Sequence, residues 1–356
     1  MRAMGLLALL SLLVSACGGS AAPSTPARPS EAAAPAHSAP APAAQAAPTH
    51  ITLAYSTASA ANSPMQLAQD RGIFRANGLD IELIHAMGNA GPAAVLSGQA
   101  QVLATGCAEA LAAITGGADF VLTMVWINRM QYVLAGSPTI AGPETLRGKR
   151  LAVSRIGSSS HLATKFIVKY LGLDPDQDVS YVQVGNTPER VGALLAGSVD
   201  GSILSADEGL LIGNEPGMHI IVDMTTENIP YCGNALGATR QYVRDQPEVM
   251  RALTRSFVEA ITRFRLDKAE GVQAVAAFLG ENDTYKAEQL WGTWVRMLPE
   301  KPYPDPRGIQ FVLDEVAQTD ERARALTPDG VVDPSWVREL DRSGFIDGLN
   351  RGAGAR

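Results

Sequence analysis

Two stretches of this chain follow the same pattern. Residues 96–109 read LSGQAQVLATGCAE, and residues 195–208 read LAGSVDGSILSADE. A Gly-Asn pair precedes each copy, at Gly88-Asn89 and at Gly185-Asn186. Each copy predicts a loop, a short helix ended by glycine, a buried strand, and small polar residues that begin the next helix. Two such units predict two similar α/β lobes, and a cleft between two lobes is a usual place for a small ligand.

The length and the charge of the chain limit the classes of protein to which it can belong. Its 356 residues exceed what one hydrophobic core commonly covers, which agrees with two lobes. A composition with 46% hydrophobic and 18% charged residues is typical of a soluble globular protein. The formal net charge of −7 argues against the basic face that nucleic-acid binding requires, so no nucleic-acid partner is expected.

Residues 1–16 are typical of an export signal. Met1-Arg2 supplies a positive start, and residues 5–14 form an apolar run that is shorter than the roughly 20 residues needed to span a bilayer. The run ends in Val-Ser-Ala-Cys, which resembles the lipobox of bacterial lipoproteins. That resemblance implies cleavage before Cys17 and attachment of lipid to Cys17. The alternative is an ordinary secretory signal in which Cys17 is incidental.

Residues 17–48 predict a tether between the lipidated Cys17 and the folded part. The stretch is almost entirely Ala, Pro and Ser, so it has no large apolar side chain to offset the entropy lost on ordering. Proline keeps such a segment extended, and at about 3 Å per residue it would reach on the order of 90 Å. A lipid, a tether and a globular part predict a protein of the cell envelope, anchored to the membrane on its periplasmic or outer cell-surface side.

The folded part alternates strands and helices, which favours βαβ units and largely parallel sheets. We predict that residues 49–140, including a strand at 131–135, form the first part of lobe one and that residues 141–228 form lobe two. The last part, residues 229–350, would return to lobe one with a strand at 234–239 and C-terminal helices. The helices are indicated by apolar residues at helical spacing, beginning with Val249, Met250, Leu253, Phe257, Ile261 and Phe264.

Three motifs carry a resemblance to a known family. They are GIFRANGLDIEL at residues 72–83, LSGQAQ at 96–101 and LRGKRLAV at 146–153. In this order and spacing they resemble the substrate-binding proteins of ABC transporters of the nitrate/sulfonate/taurine type, which include relatives that bind the pyrimidine precursor of thiamine. The resemblance covers nearly all of residues 50–345.

The resemblance implies a fold and a function. The fold would be the type 2 periplasmic-binding-protein fold, in which two Rossmann-like α/β lobes are joined by two crossover segments, here near residues 138–145 and 225–231. Such a protein captures a small molecule between its lobes and delivers it to the transmembrane subunits of an ABC permease. No chemistry on the ligand, no catalytic residue, no cofactor and no metal are expected, and the protein is expected to be a monomer.

Candidate ligand contacts follow the predicted strands on one edge of each lobe, where ligands of α/β proteins collect. The loop at residues 157–161 is the strongest, because three consecutive serines exceed what a helix cap needs, although one of them would also serve as a cap. Glu109 and Glu208, one turn into their helices, are expected to complement the helix dipole. The predicted contacts are Ser59, Asn89, Thr105, Asn128, Ser158, Ser159, Ser160, Asn186 and Asp207.

The sequence leaves the charge of the ligand open. The serines, with Arg129 and Arg155, favour an anion or a carboxylate. Asp207, Glu109 and Trp126 instead suit a cationic or heteroaromatic ligand.

Two further patterns are explained by the fold rather than by ligand binding. Trp291 and Trp294, three residues apart on one predicted helix, are expected to pack in the core rather than to stack on a ligand. His161 is expected at the surface of the first turn of its helix.

The pairing of Cys107 and Cys232 also stays open. A disulfide is permitted outside the cytoplasm, but two isolated cysteines are as often unpaired.

Two rival functions remain. A module that presents its ligand to a sensor would have the same sequence features. An exported enzyme is disfavoured, because the chain has no Gly-x-Ser-x-Gly elbow, no His-Glu-x-x-His motif, no P-loop and no dinucleotide glycine pattern.

Overall fold

The computed structural model describes residues 47–353 with the exception of Asn89, Asn186 and Asn214. The predicted export signal, Cys17 and all but the last two residues of the predicted tether therefore lie outside the described residues. Residues 46–356 form one compact unit. Within the described residues, no helix combines the length and the hydropathy that crossing a membrane requires.

The described part contains ten strands and fifteen α-helices. The strands are β1 (Thr49–Tyr55), β2 (Leu79–His85), β3 (Val102–Gly106), β4 (Phe120–Val125), β5 (Tyr132–Gly136), β6 (Lys149–Val153), β7 (Val179–Gln183), β8 (Gly201–Ser205), β9 (His219–Asp223) and β10 (Asn234–Thr239). The helices are α1 (Ser63–Asp70), α2 (Ile73–Ala76), α3 (Ala90–Leu96), α4 (Cys107–Thr115), α5 (Ser159–Tyr170), α6 (Thr187–Leu195), α7 (Ala206–Ile212), α8 (Arg240–Asp245), α9 (Pro247–Leu266), α10 (Lys268–Leu279), α11 (Thr284–Val295), α12 (Pro306–Val316), α13 (Pro328–Val331), α14 (Ser335–Arg342) and α15 (Phe345–Ala353). Short 3-10 helices cover Ala60–Asn62, Pro143–Leu146, Met224–Thr226 and Glu321–Ala325.

The strands form two five-stranded sheets with the same topology. The first has the order β2-β1-β3-β10-β4, and the second has the order β7-β6-β8-β5-β9. In each sheet the first three strands are parallel, and the fourth strand, β10 or β5, runs antiparallel to both of its neighbours. The repeated sequence pattern therefore corresponds to a repeated lobe, with β3–α4 in the first lobe and β8–α7 in the second.

The position of the first crossover differs from the prediction. Strand β5, which we predicted to be part of lobe one, belongs to the second sheet, so the chain crosses at residues 127–131 rather than at 138–145. The boundary predicted at residue 140 is accordingly wrong. The apolar strand carries no sign of which sheet it joins, and the Gly-Pro turn at residues 142–143 only introduces the short Pro143–Leu146 helix within lobe two.

The two crossovers lie side by side as a pair of extended segments. The amide of Met130 donates to the carbonyl of Ile229 at 3.1 Å, and the amide of Tyr231 donates to the carbonyl of Asn128 at 3.1 Å. The second crossover thus runs through residues 229–233, close to the predicted segment. Two adjacent extended segments that join two lobes are the kind of element about which the lobes can rotate.

A disulfide joins the first lobe to the second crossover. Cys107, the first residue of α4, is bonded to Cys232, and both are buried. The sequence left this pairing open, and the structure resolves it because the antiparallel pairing of β10 with β3 places the two cysteines side by side.

The C-terminal helices complete the core of the first lobe. Helix α9 buries the whole apolar face that its spacing predicts, and α10, α11, α14 and α15 pack around the same cluster. Trp294 on α11 is almost fully buried in this cluster, whereas Trp291 is partly buried and its indole N–H donates to the carbonyl of Phe264 at 2.8 Å. Both tryptophans therefore pack in the core of the first lobe, as predicted.

Candidate functional site

The two lobes meet at the carboxylate of Asp207. This residue lies in the first turn of α7 in lobe two, and its Oδ2 accepts a hydrogen bond from the amide of Ala60 in lobe one at 2.9 Å. Its Oδ1 accepts a hydrogen bond from the indole Nε1 of Trp294 on α11. Ser59, the residue before Ala60, contributes a further side-chain hydrogen bond. Two of the predicted site residues, Ser59 and Asp207, are thereby brought together.

The carboxyl group of Asp207 is buried, and burial disfavours its ionised form. Only 5% of the residue is exposed. Burial raises the pKa of Asp207 above the ordinary carboxyl value, and the hydrogen bonds from Trp294, Ser59 and Ala60 lower it again in part. Three donors around one buried carboxylate are the arrangement that makes such burial tolerable.

The segment of lobe one that meets Asp207 is rigidly held. The hydroxyl of Ser56 donates to the hydroxyl of Thr105 at 3.0 Å, and the indole of Trp126 donates to the carbonyl of Ala61 at 3.1 Å. Asn62 donates to the carbonyl of Thr57 at 2.7 Å and accepts from the side chain of Asn234 at 3.1 Å. The loop between β1 and α1 is therefore a fixed wall of the cleft.

A second carboxylate, Glu208, follows Asp207 on α7. Burial and the neighbouring charge of Asp207 raise the pKa of Glu208 to about 7, while Arg190 on α6 acts in the opposite direction. The hydroxyl of Ser205 donates to Glu208. The prediction that this glutamate only complements the helix dipole omits its burial beside a second acid.

Arg190 acts electrostatically on Glu208, but its own hydrogen bonds hold the loop before α6 and β8. Its guanidinium donates to the carbonyl of Ile203 at 3.1 Å, to the carbonyl of Gly185 at 2.8 Å and to the hydroxyl of Thr187 at 3.0 Å. Arg190 is 5% exposed, and burial lowers its pKa from the ordinary value. The residue thus holds the loop before α6 against β8.

Two tyrosines lie at the crossovers: Tyr132 is the first residue of β5, directly after the first crossover, and Tyr231 lies in the second. Tyr132 and Tyr231 lie edge to face, with ring centroids 6.1 Å apart. Burial, and then the charge of Glu109, raise the pKa of Tyr132 to about 12, and burial also raises the pKa of Tyr231. Arg190 also acts on Tyr132, so the crossovers, the matched glutamates Glu109 and Glu208, and Arg190 share one electrostatic neighbourhood.

The structure assigns structural partners to Thr105 and Asn128. Thr105 is buried and accepts the hydroxyl of Ser56. The amide of Asn128 donates to the carbonyls of Val125 and Tyr303, at 3.1 and 2.8 Å, and its oxygen accepts from the amide of Asp305 at 3.1 Å. Asn128 therefore fastens the first crossover to the segment before α12.

The polar groups of the serine loop form hydrogen bonds with one another. Ser158 caps α5, and its hydroxyl lies 2.8 Å from that of Ser154 and 3.0 Å from that of Ser160. Ser154 also donates its amide to Ser160 at 2.8 Å. The third hydroxyl of the cluster is thus supplied by Ser154, which the sequence did not single out.

His161 is not a surface residue, contrary to the prediction. It is 8% exposed, its Nδ1 accepts from the amide of Gly157 at 3.0 Å, and its ring packs against Tyr181. The predicted contacts Asn89 and Asn186 and the side chain of Ser159 lie outside the described residues, as does Cys17.

Sequence reasoning missed three functional candidates. Trp294 and the backbone amide of Ala60 were not named as site groups, and Arg190 was not considered. A backbone amide has no sequence signal, and the indole of Trp294 serves the core and the cleft at once. Within the described residues, no group of three or more His, Cys, Asp or Glu side chains is placed to hold a metal ion.

Two duplicated α/β lobes around a pair of crossovers define a protein with the periplasmic-binding-protein fold. The chain belongs to the NMT1/THI5-like family, whose model matches residues 60–264. The expected family resemblance and fold class are therefore confirmed. No curated protein sequence matches the chain significantly.

Solved structures with the same fold include binding proteins and a protein in complex with biphenyl-2-sulfinic acid. The aliphatic sulphonate-binding protein SsuA of Escherichia coli is 21% identical, with a TM-score of 0.60 over 82% of this chain and 92% of its own. The nitrate-binding protein NrtA of Synechocystis is 14% identical, with a TM-score of 0.68 over 83% of this chain and 89% of its own. A DszB mutant in complex with biphenyl-2-sulfinic acid is 18% identical, with a TM-score of 0.61 over 82% of this chain and 99% of its own.

Proposed function

We propose that this protein is an extracytoplasmic, lipid-anchored solute-binding protein that captures a small ligand between its lobes and delivers it to an ABC importer. The observation that carries the proposal is the buried contact of Asp207 with Ala60, which joins one lobe to the other directly across the cleft. A binding protein of this kind works by bringing two lobes together on its ligand, and this contact shows a polar group of one lobe reaching the other.

The topology supports the same function. The paired crossovers at residues 127–131 and 229–233 leave each sheet intact on its own side, so the lobes can rotate without breaking a strand. The family membership and the shared fold with sulfonate- and nitrate-binding proteins favour solute binding over catalysis.

The residues proposed to line the cleft are those that follow the strands on its two walls. Asp207 and Ser59 have the strongest support, because they meet across it. The full proposed set is Ser59, Asn89, Thr105, Asn128, Ser158, Ser159, Ser160, Asn186 and Asp207.

Ligand binding is tested by thermal denaturation of the protein with a panel of nitrate, sulfonates, carboxylates, pyrimidines and flavins. A ligand at 100 times its dissociation constant raises the free energy of unfolding by about 2.7 kcal/mol. A ligand of the cleft should lose this effect in the variant Asp207→Ala and keep it in Asp200→Ala, since Asp200 pairs with the exposed Arg150. A panel without any hit, together with turnover of an ester or amide substrate, would favour the exported-enzyme alternative.

Delivery is tested in cells that carry a labelled hit. Removal of the protein should abolish uptake of that compound, and loss of the neighbouring ABC permease should do the same. Uptake that is unchanged while a chemotactic or kinase response disappears would assign the protein to ligand presentation for a sensor.

The anchor is tested separately from binding. Cys17→Ala should release the protein from the membrane fraction, and the wild-type chain should incorporate labelled fatty acid at the new N-terminus. Retention of Cys17→Ala in the membrane fraction would refute anchoring through lipid at Cys17 and leave solute binding untouched.

A further inference from the structure

Three hydrogen-bond donors of lobe one converge on a single carboxylate of lobe two. The amide of Ala60 meets Oδ2 of Asp207 at 2.9 Å, the indole of Trp294 meets Oδ1, and the side chain of Ser59 adds a third bond. The donors come from two separate elements of lobe one, the loop after β1 and helix α11.

This donor set is suited to a small oxyanion. An amide N–H, an indole N–H and a hydroxyl are neutral donors that bind anions without requiring a counter-charge. Here a side chain of the same protein already supplies the anion, and a hydrogen bond of 2.9 Å leaves no space for a ligand atom between donor and acceptor.

The residues beside Asp207 have their own partners. Burial and the charge of Asp207 raise the pKa of Glu208, the next residue. Arg190, which acts on Glu208, directs its three hydrogen bonds to Ile203, Gly185 and Thr187. The donors of lobe one are taken up by the side chain of Asp207, so an oxyanion would have to displace that side chain in order to bind them.

We propose that Asp207 is a specificity-determining residue: its carboxyl group occupies the donors of lobe one that would otherwise bind an anion, so the protein rejects oxyanions such as nitrate and sulfonates. The proposal rests on the proposed solute-binding function. It sets this chain apart from structural neighbours that bind sulfonate or nitrate.

The first test uses the wild-type chain with nitrate and methanesulfonate in isothermal titration, in a buffer of constant ionic strength. We expect no saturable binding at millimolar concentrations. Saturable binding of either anion with a micromolar dissociation constant would overturn the proposal, because Asp207 would then not exclude it.

The second test removes the internal anion. In Asp207→Ala the three donors lose their acceptor, so nitrate, formate or methanesulfonate should bind and raise the melting temperature. The juxtaposition of like charges costs several kcal/mol, which predicts binding about 100-fold tighter or more in this variant than in the wild type. Asp200→Ala, which removes the carboxylate that pairs with the exposed Arg150 in the same lobe, should gain no anion binding.

The amide variant guards against failure of the alanine variant to fold. Asp207→Asn retains an oxygen acceptor and the volume of the side chain, so it should fold and bind anions far less than Asp207→Ala does. If folded Asp207→Ala binds no anion, or if Asp200→Ala binds anions equally well, the donor set is not an anion site and the proposal fails.

The anion tests require no natural ligand, so they remain decisive even when the solute-binding function itself fails its own test.

Discussion

The carboxylate of Asp207 and the backbone amide of Ala60 lie 2.9 Å apart, although 147 positions separate the two residues in the chain. Asp207 belongs to the second copy of the repeated pattern, and the aligned position of the first copy is Ala108, which is apolar. One copy of the repeated unit thus carries a carboxyl group that the other copy lacks, and that group makes the contact between the lobes.

Substitution of Asp207 should separate its hydrogen-bonding role from its charge. Asp207→Ala leaves the buried N–H groups of Ala60 and Trp294 without an acceptor and should lower the free energy of unfolding by about 1–3 kcal/mol. Asp207→Asn keeps one acceptor oxygen and removes a desolvated charge, but its NH2 group faces the N–H of the other donor, so it should cost about 1 kcal/mol, less than Asp207→Ala. Urea denaturation at neutral pH measures both, and equal losses in the two variants would contradict the assigned hydrogen bonds.

The two tryptophans of α11 offer a matched pair. Trp294→Phe removes the donor to Asp207, and Trp291→Phe removes the donor to the carbonyl of Phe264. Each should lose about 1–2 kcal/mol of unfolding free energy. Only Trp294→Phe should weaken the contact between the lobes and increase the radius of gyration in small-angle X-ray scattering. An equal increase in both variants would indicate a general loss of packing.

The raised pKa of Glu208 predicts a dependence of stability on pH. The folded protein holds this proton up to a pKa of about 7, whereas the unfolded chain releases it near the ordinary value of 4.5, so stability falls as pH rises through that window. The melting temperature should therefore fall between about pH 5 and about pH 8, and it should fall less in Glu208→Gln.

A control of opposite sign is available for this measurement. Arg251 lowers the pKa of the exposed Glu248, so Glu248→Gln should remove a small stabilisation that is present above the ordinary pKa. If Glu208→Gln shows the same pH profile as the wild type, Glu208 does not carry the dependence.

The disulfide should be a large contributor to stability. Cys107 and Cys232 close a loop with a sequence separation of 125, for which chain entropy predicts about 4–5 kcal/mol. The double variant Cys107→Ala/Cys232→Ala should lose about that much in denaturant unfolding. A reducing agent should destabilise the wild type and leave the double variant unchanged; a response of both would place the effect of the reductant elsewhere.

Arg190 should matter for stability far more than an exposed arginine of the same lobe. Arg190→Met leaves two carbonyls and a hydroxyl without their donor and should cost about 2–4 kcal/mol. Arg150→Met breaks an exposed pair with Asp200 and should cost about 0–1 kcal/mol. Chemical denaturation of the two variants measures the difference, and similar losses would show that burial of Arg190 has no special effect.

Much of the fold follows from local patterns. Alternating strands and helices, the helical spacing of Val249 through Phe264, and the repeated unit at residues 96–109 and 195–208 are periodic features that reside in short stretches of chain. The boundary between the lobes does not follow from a local pattern. Strand β5 is apolar along its whole length, and whether it joins the first or the second sheet depends on which edge is free after the chain has crossed.

The candidate site likewise contains residues that local sequence predicts and contacts that it does not predict. Ser59 and Asp207 were predictable because each is a small or charged residue within a few positions after a strand, β1 for Ser59 and β8 for Asp207. Asn128 and Ser160 satisfied the same pattern, yet their polar atoms serve the crossover and the α5 cap. Local sequence indicates that a polar group is needed at a position and does not indicate which partner it finds.

By itself, the sequence determined the two-lobe α/β architecture and the residue types along its strand edges, because periodicity and the placement of glycine act over a few residues. The tertiary structure alone decided that Cys107 bonds to Cys232, that the guanidinium of Arg190 donates to backbone carbonyls, and that Asp207 accepts hydrogen bonds from Ala60 and Trp294. These contacts join residues far apart in the chain, and their energies depend on burial and distance, which arise only when the lobes have packed.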